Sequence, residues 1–529
     1  MNVLTNTLSA SLTMLDFEPI HALALLFFTL VFVKCIQWKN SRQFSLPPGP
    51  RKLPILGNLL DIPRKGFIWL EYEEMCRKHN SDIIHLSALG NSIIVLDSAQ
   101  AVSDLLEKRS LLYSSRPSTV MLGELMGWGI TFVLRPYDEA WKAQRRIFTH
   151  AIPPADTKRF HSKQITATHD LLRVLAHSDN IMKDLHQWAA VFIMDVAYGI
   201  QGKEAMSFLK TAIEASQSIA IAATPGAFLV DHIPILKYVP DWFPGADFKR
   251  KAKEWNLLRV KMTEDTFRVT KERMAAGTAT PSLASVALEQ MDLTKDIRQQ
   301  EELIKATSLT AYSGGTDTVV VGLGAFILAM LMNPDVQIEA QRELDKVLAP
   351  GDLPTFSLES DLPYISAIVR EVLRYQPVAP VGFPHLSTEE DVYKGYLIPK
   401  GSIIMPNVWS ILHNEEDYPD PDRFNPSRYL DANGNIDPSV KDPTGPAFGF
   451  GRRACPGKDV ALASLWIGVA SILTCYSIEP EVDQYGNLME RKGEWYSGPS
   501  VVNHPLPFKC RFIPRSKEVE TSLNVGKFL

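Results

Sequence analysis

The stretch Phe448-Gly449-Phe450-Gly451-Arg452-Arg453-Ala454-Cys455-Pro456-Gly457 decides the reading of this chain. A lone cysteine is ordinarily a small core residue. Here Gly449, Gly451 and Gly457 let the backbone approach a flat partner closely, and a helix-period run over 461–473 opens just beyond. Backbone amides and the positive end of that helix favour a thiolate. A thiolate so presented suits the axial position of haem iron, where its electron donation favours cleavage of an O–O bond. The pattern Phe-x-x-Gly-x-Arg-x-Cys-x-Gly specifies half of its positions, which chance rarely supplies.

Around this loop lies a chain of 529 residues, 45% hydrophobic and 22% charged, with a formal net charge of −5. That balance excludes a disordered chain and a strongly basic nucleic-acid binder. The cysteines, Cys35, Cys76, Cys455, Cys475 and Cys510, are odd in number and form no Cys-x-x-Cys pair, which points to a reducing compartment and away from structural zinc. Residues 20–38 form an apolar run that spans about 28 Å at about 1.5 Å per residue, long enough to cross a bilayer. Lys39, Arg42, Arg51 and Lys52 follow it and only Asp16 and Glu18 precede it, so the positive-inside rule leaves the body in the cytosol. The expected organisation is a short lumenal N-terminus (1–19), a transmembrane helix (20–38), a basic, proline-rich hinge (39–52) and one large catalytic domain (53–529). Within the hinge, Leu46-Pro47-Pro48-Gly49-Pro50 reads as a stiff extended strap.

Strand-like runs at 83–86 and 93–96, split by Gly90-Asn91, read as a hairpin. Apolar residues then recur at three and four over 138–148, 184–198, 248–273, 299–331, 334–348 and 363–375, which predicts long helices. Prolines crowd 350–446, where short strands at 396–398 and 402–405 are expected. The fold class is mainly α with a smaller β part.

With the cysteine loop and these helices together, the chain resembles the cytochrome P450 superfamily of haem-thiolate monooxygenases, over roughly residues 45 to 515. The resemblance implies that Cys455 ligates the iron of haem b, that Phe448, Gly451 and Gly457 are cofactor-binding residues of the loop around it, and that Arg453 of the same loop contributes to holding a propionate. Trp141-Lys-Ala-Gln-Arg145 looks like the family's Trp-x-x-x-Arg helix, so Trp141 and Arg145 would hold a haem propionate; His385 occupies another propionate position. Ala311-Tyr-Ser-Gly314-Gly315-Thr316-Asp317-Thr318 is a polar, flexible island in an apolar helix. Its two glycines cost about 1 kcal/mol each, and either ligand approach or a packing notch between helices would account for them. By resemblance it lies over the distal haem face, with Asp317 and Thr318 as the acid and alcohol that deliver protons during oxygen activation. The family's next hydroxyl residue is Val319 here. Glu371 and Arg374 form a Glu-x-x-Arg pair, as do Glu74–Arg77 and Glu339–Arg342. Order along the chain selects Glu371, with Arg423 of Pro421-Asp-Arg423-Phe424 as its structural partner.

Finer matches, such as Glu124-Leu-Met-Gly-Trp128 and Gly395-Tyr-Leu-Ile-Pro-Lys-Gly401, resemble a fungal secondary-metabolism branch of the family. The implied activity is NADPH-dependent oxidation of a lipophilic metabolite with O2, a terpenoid first and an aromatic polyketide or indole as the alternative. A haem-thiolate isomerase or dehydratase, or a non-catalytic haem binder, is the other reading. The chain has no flavin or NADPH module, so electrons come from a membrane-bound NADPH-cytochrome P450 reductase, with cytochrome b5 as a second donor. Lys142, Arg146, Arg452 and Lys458 are candidates to dock it. The implied location is the endoplasmic reticulum membrane, single-pass, with the catalytic domain cytosolic.

Overall fold

The computed structural model describes residues 44–525 apart from 225, 486, 492 and 496–500; the expected membrane helix 20–38 lies outside the described residues. Numbering α-helices of seven residues or more, the described chain carries α1 Ile68–Lys78, α2 Glu139–Ala151, α3 His161–Leu175, α4 Ile181–Tyr198, α5 Gly202–Ala223 and α6 Asp247–Ala275. There follow α7 Leu283–Glu289, α8 Ile297–Met332, α9 Pro334–Val347, α10 Pro363–Tyr375, α11 Lys458–Cys475 and α12 Lys517–Val525. The strands are β1 Ile83–Ala88, β2 Asn91–Leu96, β3 His385–Leu386, β4 Asp391–Tyr393, β5 Tyr396–Ile398, β6 Ile403–Pro406, β7 Tyr476–Glu479 and β8 Arg511–Pro514. Every helix expected from periodicity is present within a few residues of its predicted ends.

The chain divides into two units. Among the described residues the smaller holds 44–46 and 391–398. In it, β4 and β5 pair antiparallel through Lys394 and Gly395, both at positive φ (50° and 78°), the turn whose twist matches that of the strands. Ser45 pairs in parallel with Tyr396.

The larger unit contains everything else. Its sheet runs β1-β2-β6-β3, with β1 and β2 joined by Leu89-Gly90, again both at positive φ. Its core is built on α8, whose residues from Val319 to Leu331 are all buried; a helix apolar on every side must be enclosed. Both α8 and α11 are long and apolar enough to cross a bilayer, yet each is mostly buried inside the protein. They interlock through paired notches. A Cβ on Gly322 would stand 2.7 Å from Leu465 Cδ2, and one on Gly468 would stand 3.0 Å from Leu323 Cδ2. Each glycine thus receives a leucine from the facing helix, which fixes how closely the two approach. The start of α10 is capped from α9: Glu343 accepts the amides of Tyr364 and Ile365 at 2.8 and 3.1 Å. Asp138 caps α2 by accepting the Trp141 amide at 2.7 Å.

Candidate functional site

The cysteine loop is held by its own backbone. The amide of Cys455 donates to the Phe448 carbonyl at 2.8 Å, and those of Arg453 and Ala454 donate to Phe450 and Gly451 at 3.1 and 3.2 Å. Gly451 sits at φ +54°, and a Cβ there would overlap the Leu106 carbonyl oxygen. Gly451→Ala therefore meets both left-handed strain, about 1–2 kcal/mol, and a backbone clash. The variant is expected to melt at least several degrees lower, with reduced haem content, as followed by thermal denaturation at the Soret band.

Gly457 is the residue just before α11, and its Cα lies where an added Cβ would be 3.9 Å from Cys455 Sγ. Cys455 has accessible surface although protein atoms enclose it closely, the combination expected of a group facing an internal space. Burial pushes its thiol pKa up, while the Gly457 amide and the Arg145 guanidinium pull it back.

Four basic side chains gather beside this loop. Arg453 donates to the carbonyls of Ser114, Phe132 (2.8 Å) and Arg135 (2.7 Å) and lies 4.6 Å from the Trp141 ring centroid. Trp141 spends its indole N–H on the Phe132 carbonyl at 3.1 Å, so Trp141 and Arg453 converge on one carbonyl. Buried Arg116 donates to the carbonyls of Val133, Phe383 and Pro384, and desolvation together with Arg453 lowers its pKa to about 9. His385 stands 2.7 Å from the Tyr113 carbonyl, its pKa held well below the usual imidazole range by burial and by Arg116 and Arg453. Arg145, largely enclosed and close to Cys455, has no side-chain hydrogen bond and no carboxylate partner among the described residues. Burial lowers its pKa too. Buried guanidinium groups that repel one another and lack an acidic partner are costly unless a bound anion completes them. This donor set, a thiol with Arg145 beside it and two further arginines and a neutral imidazole nearby, fits a planar iron porphyrin with two carboxylates.

On α8 the two glycines separate the two explanations offered for them. A Cβ on Gly315 would press on Ile193 of α4 at 3.0 Å, a packing notch; a Cβ on Gly314 would meet nothing, so that face is open. Thr318, one turn on, donates its hydroxyl to the Gly314 carbonyl at 2.8 Å and lies on the same face. Asp317 points elsewhere. Its carboxylate meets His186 Nε2 at 3.1 Å and His504 Nε2 at 3.3 Å. Burial alone would raise the Asp317 pKa, but the two imidazoles outweigh it and hold the carboxyl well below its usual range.

Glu371 and Arg374 are fully buried and joined by two bonds, Nε to Oε2 at 2.8 Å and Nη2 to Oε1 at 2.9 Å. Glu74–Arg77 and Glu339–Arg342 are exposed surface pairs. The expected partner Arg423 is corrected: its side chain is exposed, and only its backbone carbonyl accepts from Arg374, at 3.4 Å. The second cation on Glu371 is Arg428, at 3.3 Å and 7% exposed. The physical reason is the 3-10 turn Pro426–Tyr429, which packs on α10 and carries Arg428 inward. Pro426-Ser-Arg428 repeats the Pro-x-Arg spacing of Pro421-Asp-Arg423, so sequence offered both. Arg116 was also missed; its only signal was the extended backbone imposed by Pro117.

An accessible thiol loop at the head of an apolar helix, a cationic cradle and an open-faced central helix define a haem-binding helical protein. The cytochrome P450 family model matches residues 47–512. The chain is 53% identical to cytochrome P450 monooxygenase 98 of Postia placenta, over 93% of this chain and 94% of that one. It is 39% identical to tryptamine 4-monooxygenase of Psilocybe cyanescens (94% and 99%) and 39% identical to cytochrome P450 monooxygenase claR of Ampulloclitocybe clavipes (90% and 88%). The chain belongs to the cytochrome P450 family. It is a haem b monooxygenase that uses O2, a redox partner and a small-molecule substrate.

Proposed function

We propose that this P450 is a membrane-anchored, reductase-dependent monooxygenase that oxidises a lipophilic secondary metabolite of the terpenoid class, with Cys455 as the axial thiolate. The observation that carries the site assignment is Arg145: a largely enclosed, unpaired guanidinium beside an accessible thiol at a helix head. Arg145, Arg116 and Arg453, with His385, would hold the propionate side of the haem; Trp141, whose one N–H goes to the Phe132 carbonyl, would support Arg453 through its ring face. Bound there, haem supplies the redox chemistry that inserts one oxygen atom of O2 into a C–H bond.

The chain's own residues contribute proton handling and shape. Thr318 Oγ1 donates a hydrogen bond to the Gly314 carbonyl at 2.8 Å, so its lone pairs are free to accept a hydrogen bond from a water on the open side. To pass its proton on, Oγ1 releases Gly314 and rotates toward the open face. Asp317 holds its charge on the far side of the same turn; to replenish Thr318 it would first take up a proton from solvent or from a neighbouring imidazole. The missing side chain of Gly314 leaves room for substrate next to this hydroxyl.

The lipophilic assignment draws on surface chemistry. Leu229, Ile235, Tyr238 and Trp242 are 68%, 71%, 76% and 79% exposed, so the apolar run there is not core packing. An apolar patch of this kind suits a membrane surface, in keeping with an anchor at 20–38 in the endoplasmic reticulum and a cytosolic domain. Arg146 and Arg452 are exposed, and with Lys142 and Lys458 they offer a cationic face for an acidic reductase or cytochrome b5. The name of the Psilocybe relative makes an indole the second substrate class to test.

The test is turnover in microsomes with NADPH, reductase and 18O-labelled O2, offered terpenoids, aromatic polyketides and indoles. The expected product carries one labelled oxygen and requires reductase. Product formation without O2 would instead identify an isomerase or dehydratase. Binding of haem with no labelled product from any class would leave a non-catalytic carrier.

A further inference from the structure

The pairing of His186 with Asp317 raises a bonding question. His186 Nδ1 lies 2.8 Å from the Met182 carbonyl, which can only accept, so Nδ1 carries the ring proton. In neutral His186 the other nitrogen, Nε2, then bears a lone pair. Yet Nε2 stands 3.1 Å from an oxygen of Asp317, which is an anion. A proton on Nε2 would satisfy the contact as an imidazolium–carboxylate pair: burial opposes it, but Asp317 and the Met182 carbonyl outweigh burial and raise the His186 pKa. A divalent cation bridging Nε2 and the carboxylate would take that proton's place. His504 Nε2 approaches the second carboxylate oxygen at 3.3 Å, its ring stacked near that of His186 with centroids 6.2 Å apart. The three ligand atoms all lie within 4.8 Å of one another.

We propose that His186, Asp317 and His504 form a site for a divalent transition-metal ion of the zinc type, and that the bound ion withdraws Asp317 from proton delivery. The second half rests on the relay reading of Asp317 given above. Two imidazoles and one carboxylate are a common zinc ligand set, with water in the fourth place. Tetrahedral ligands at about 2.0–2.1 Å from zinc stand about 3.4 Å apart; His186 lies 3.1 Å from Asp317 Oδ1 and His504 lies 3.3 Å from Oδ2, so the two imidazoles flank one carboxylate at ligand-like spacing, one at each oxygen. The three ligand atoms, no more than 4.8 Å apart, would have to close to that spacing by side-chain rotation. The Met182 carbonyl supplies the outer bond that fixes the tautomer of a ligating histidine and aims its lone pair. At 33%, 27% and 30% exposure the side chains are accessible enough for an ion to enter and for water to complete its shell. The site bridges α4, α8 and the segment around His504, so an ion there also ties the final part of the chain to the central helix.

The experiment adds zinc chloride to haem-loaded full-length protein, removes the excess by dialysis, and measures bound zinc and its X-ray absorption fine structure. One zinc per chain is expected, with a nitrogen/oxygen shell at about 2.0–2.1 Å and an imidazole signature. His186→Gln and His504→Gln, made separately and checked for an unchanged Soret spectrum, are each expected to lose at least tenfold in zinc affinity. No stoichiometric zinc in the wild type, or undiminished zinc in both variants, overturns the site. The same samples are then assayed with reductase. Zinc is expected to slow the wild type more than the His504→Gln variant. Zinc bound with these ligands but without effect on turnover overturns the regulatory half and counts against Asp317 as the relay acid, while the metal site stands.

Discussion

Cys455→Ala is expected to abolish the red-shifted Soret band of the reduced, carbon-monoxide-bound protein and to cut reductase-supported turnover by at least about 100-fold, about 2.7 kcal/mol on the activation barrier. The cationic cradle is untouched by the change, so some haem should remain bound and the spectrum, not haem content, is the deciding readout. The described alternatives are poor ligands on physical grounds. Cys76, Cys475 and Cys510 are buried, and desolvation pushes the Cys475 and Cys510 thiols up to about 12 and Cys76 beyond that range. Cys455 alone among the described cysteines is accessible, and it alone has both an amide and a guanidinium beside it. A variant that keeps the band would sink the assignment. Arg145→Leu makes the companion case: the thiol stays, and haem retention on dilution is expected to fall because a cation beside the site is gone.

How much of this was legible beforehand depended on whether a feature was local. The cysteine loop, the helical period over 138–148 and the apolar length of α8 are short-range patterns, and all were readable from residue spacing. Helices α3 and α5 escaped notice because α3 buries Gln164 and Thr168 and the buried face of α5 is mainly alanine, while α7 has only seven residues, too few to show a period. The pair β7–β8 joins residues 476–479 to 511–514, so neither strand shows its partner locally. At the site, Arg116 and the two histidines on Asp317 are long-range partners; His504 is 187 positions from the aspartate it meets. No periodicity announces such a contact. The assignment of Arg423 failed for a different reason, since the Pro-x-Arg spacing recurs at Pro426-Ser-Arg428, a second copy that was not weighed, and only packing decides between them.

That decision yields the second large effect. Glu371→Ala is expected to cost about 3–5 kcal/mol, because it leaves the Arg374 guanidinium buried at 0% exposure with its anion removed. Against a total stability of about 5–15 kcal/mol, little folded, haem-loaded protein should accumulate. Arg428→Ala removes one of two cations from Glu371 and also the donors that reach the carbonyls of Pro419, Asp420 and Arg423, so the turn before the cysteine loop loses its tether. Its cost should lie between that of Glu371→Ala and zero. Arg423→Ala touches only an exposed side chain, and its backbone carbonyl still accepts from Arg374; a change within about 0.5 kcal/mol is expected. Thermal melting followed at the Soret band ranks the three variants. If Arg423→Ala melts below Arg428→Ala, the side chain of Arg423 reaches Glu371 in solution and the packing argument for Arg428 fails. If the order holds, the brace beneath the haem site is Glu371–Arg374–Arg428, closed by a side chain from the second Pro-x-Arg turn and not the first.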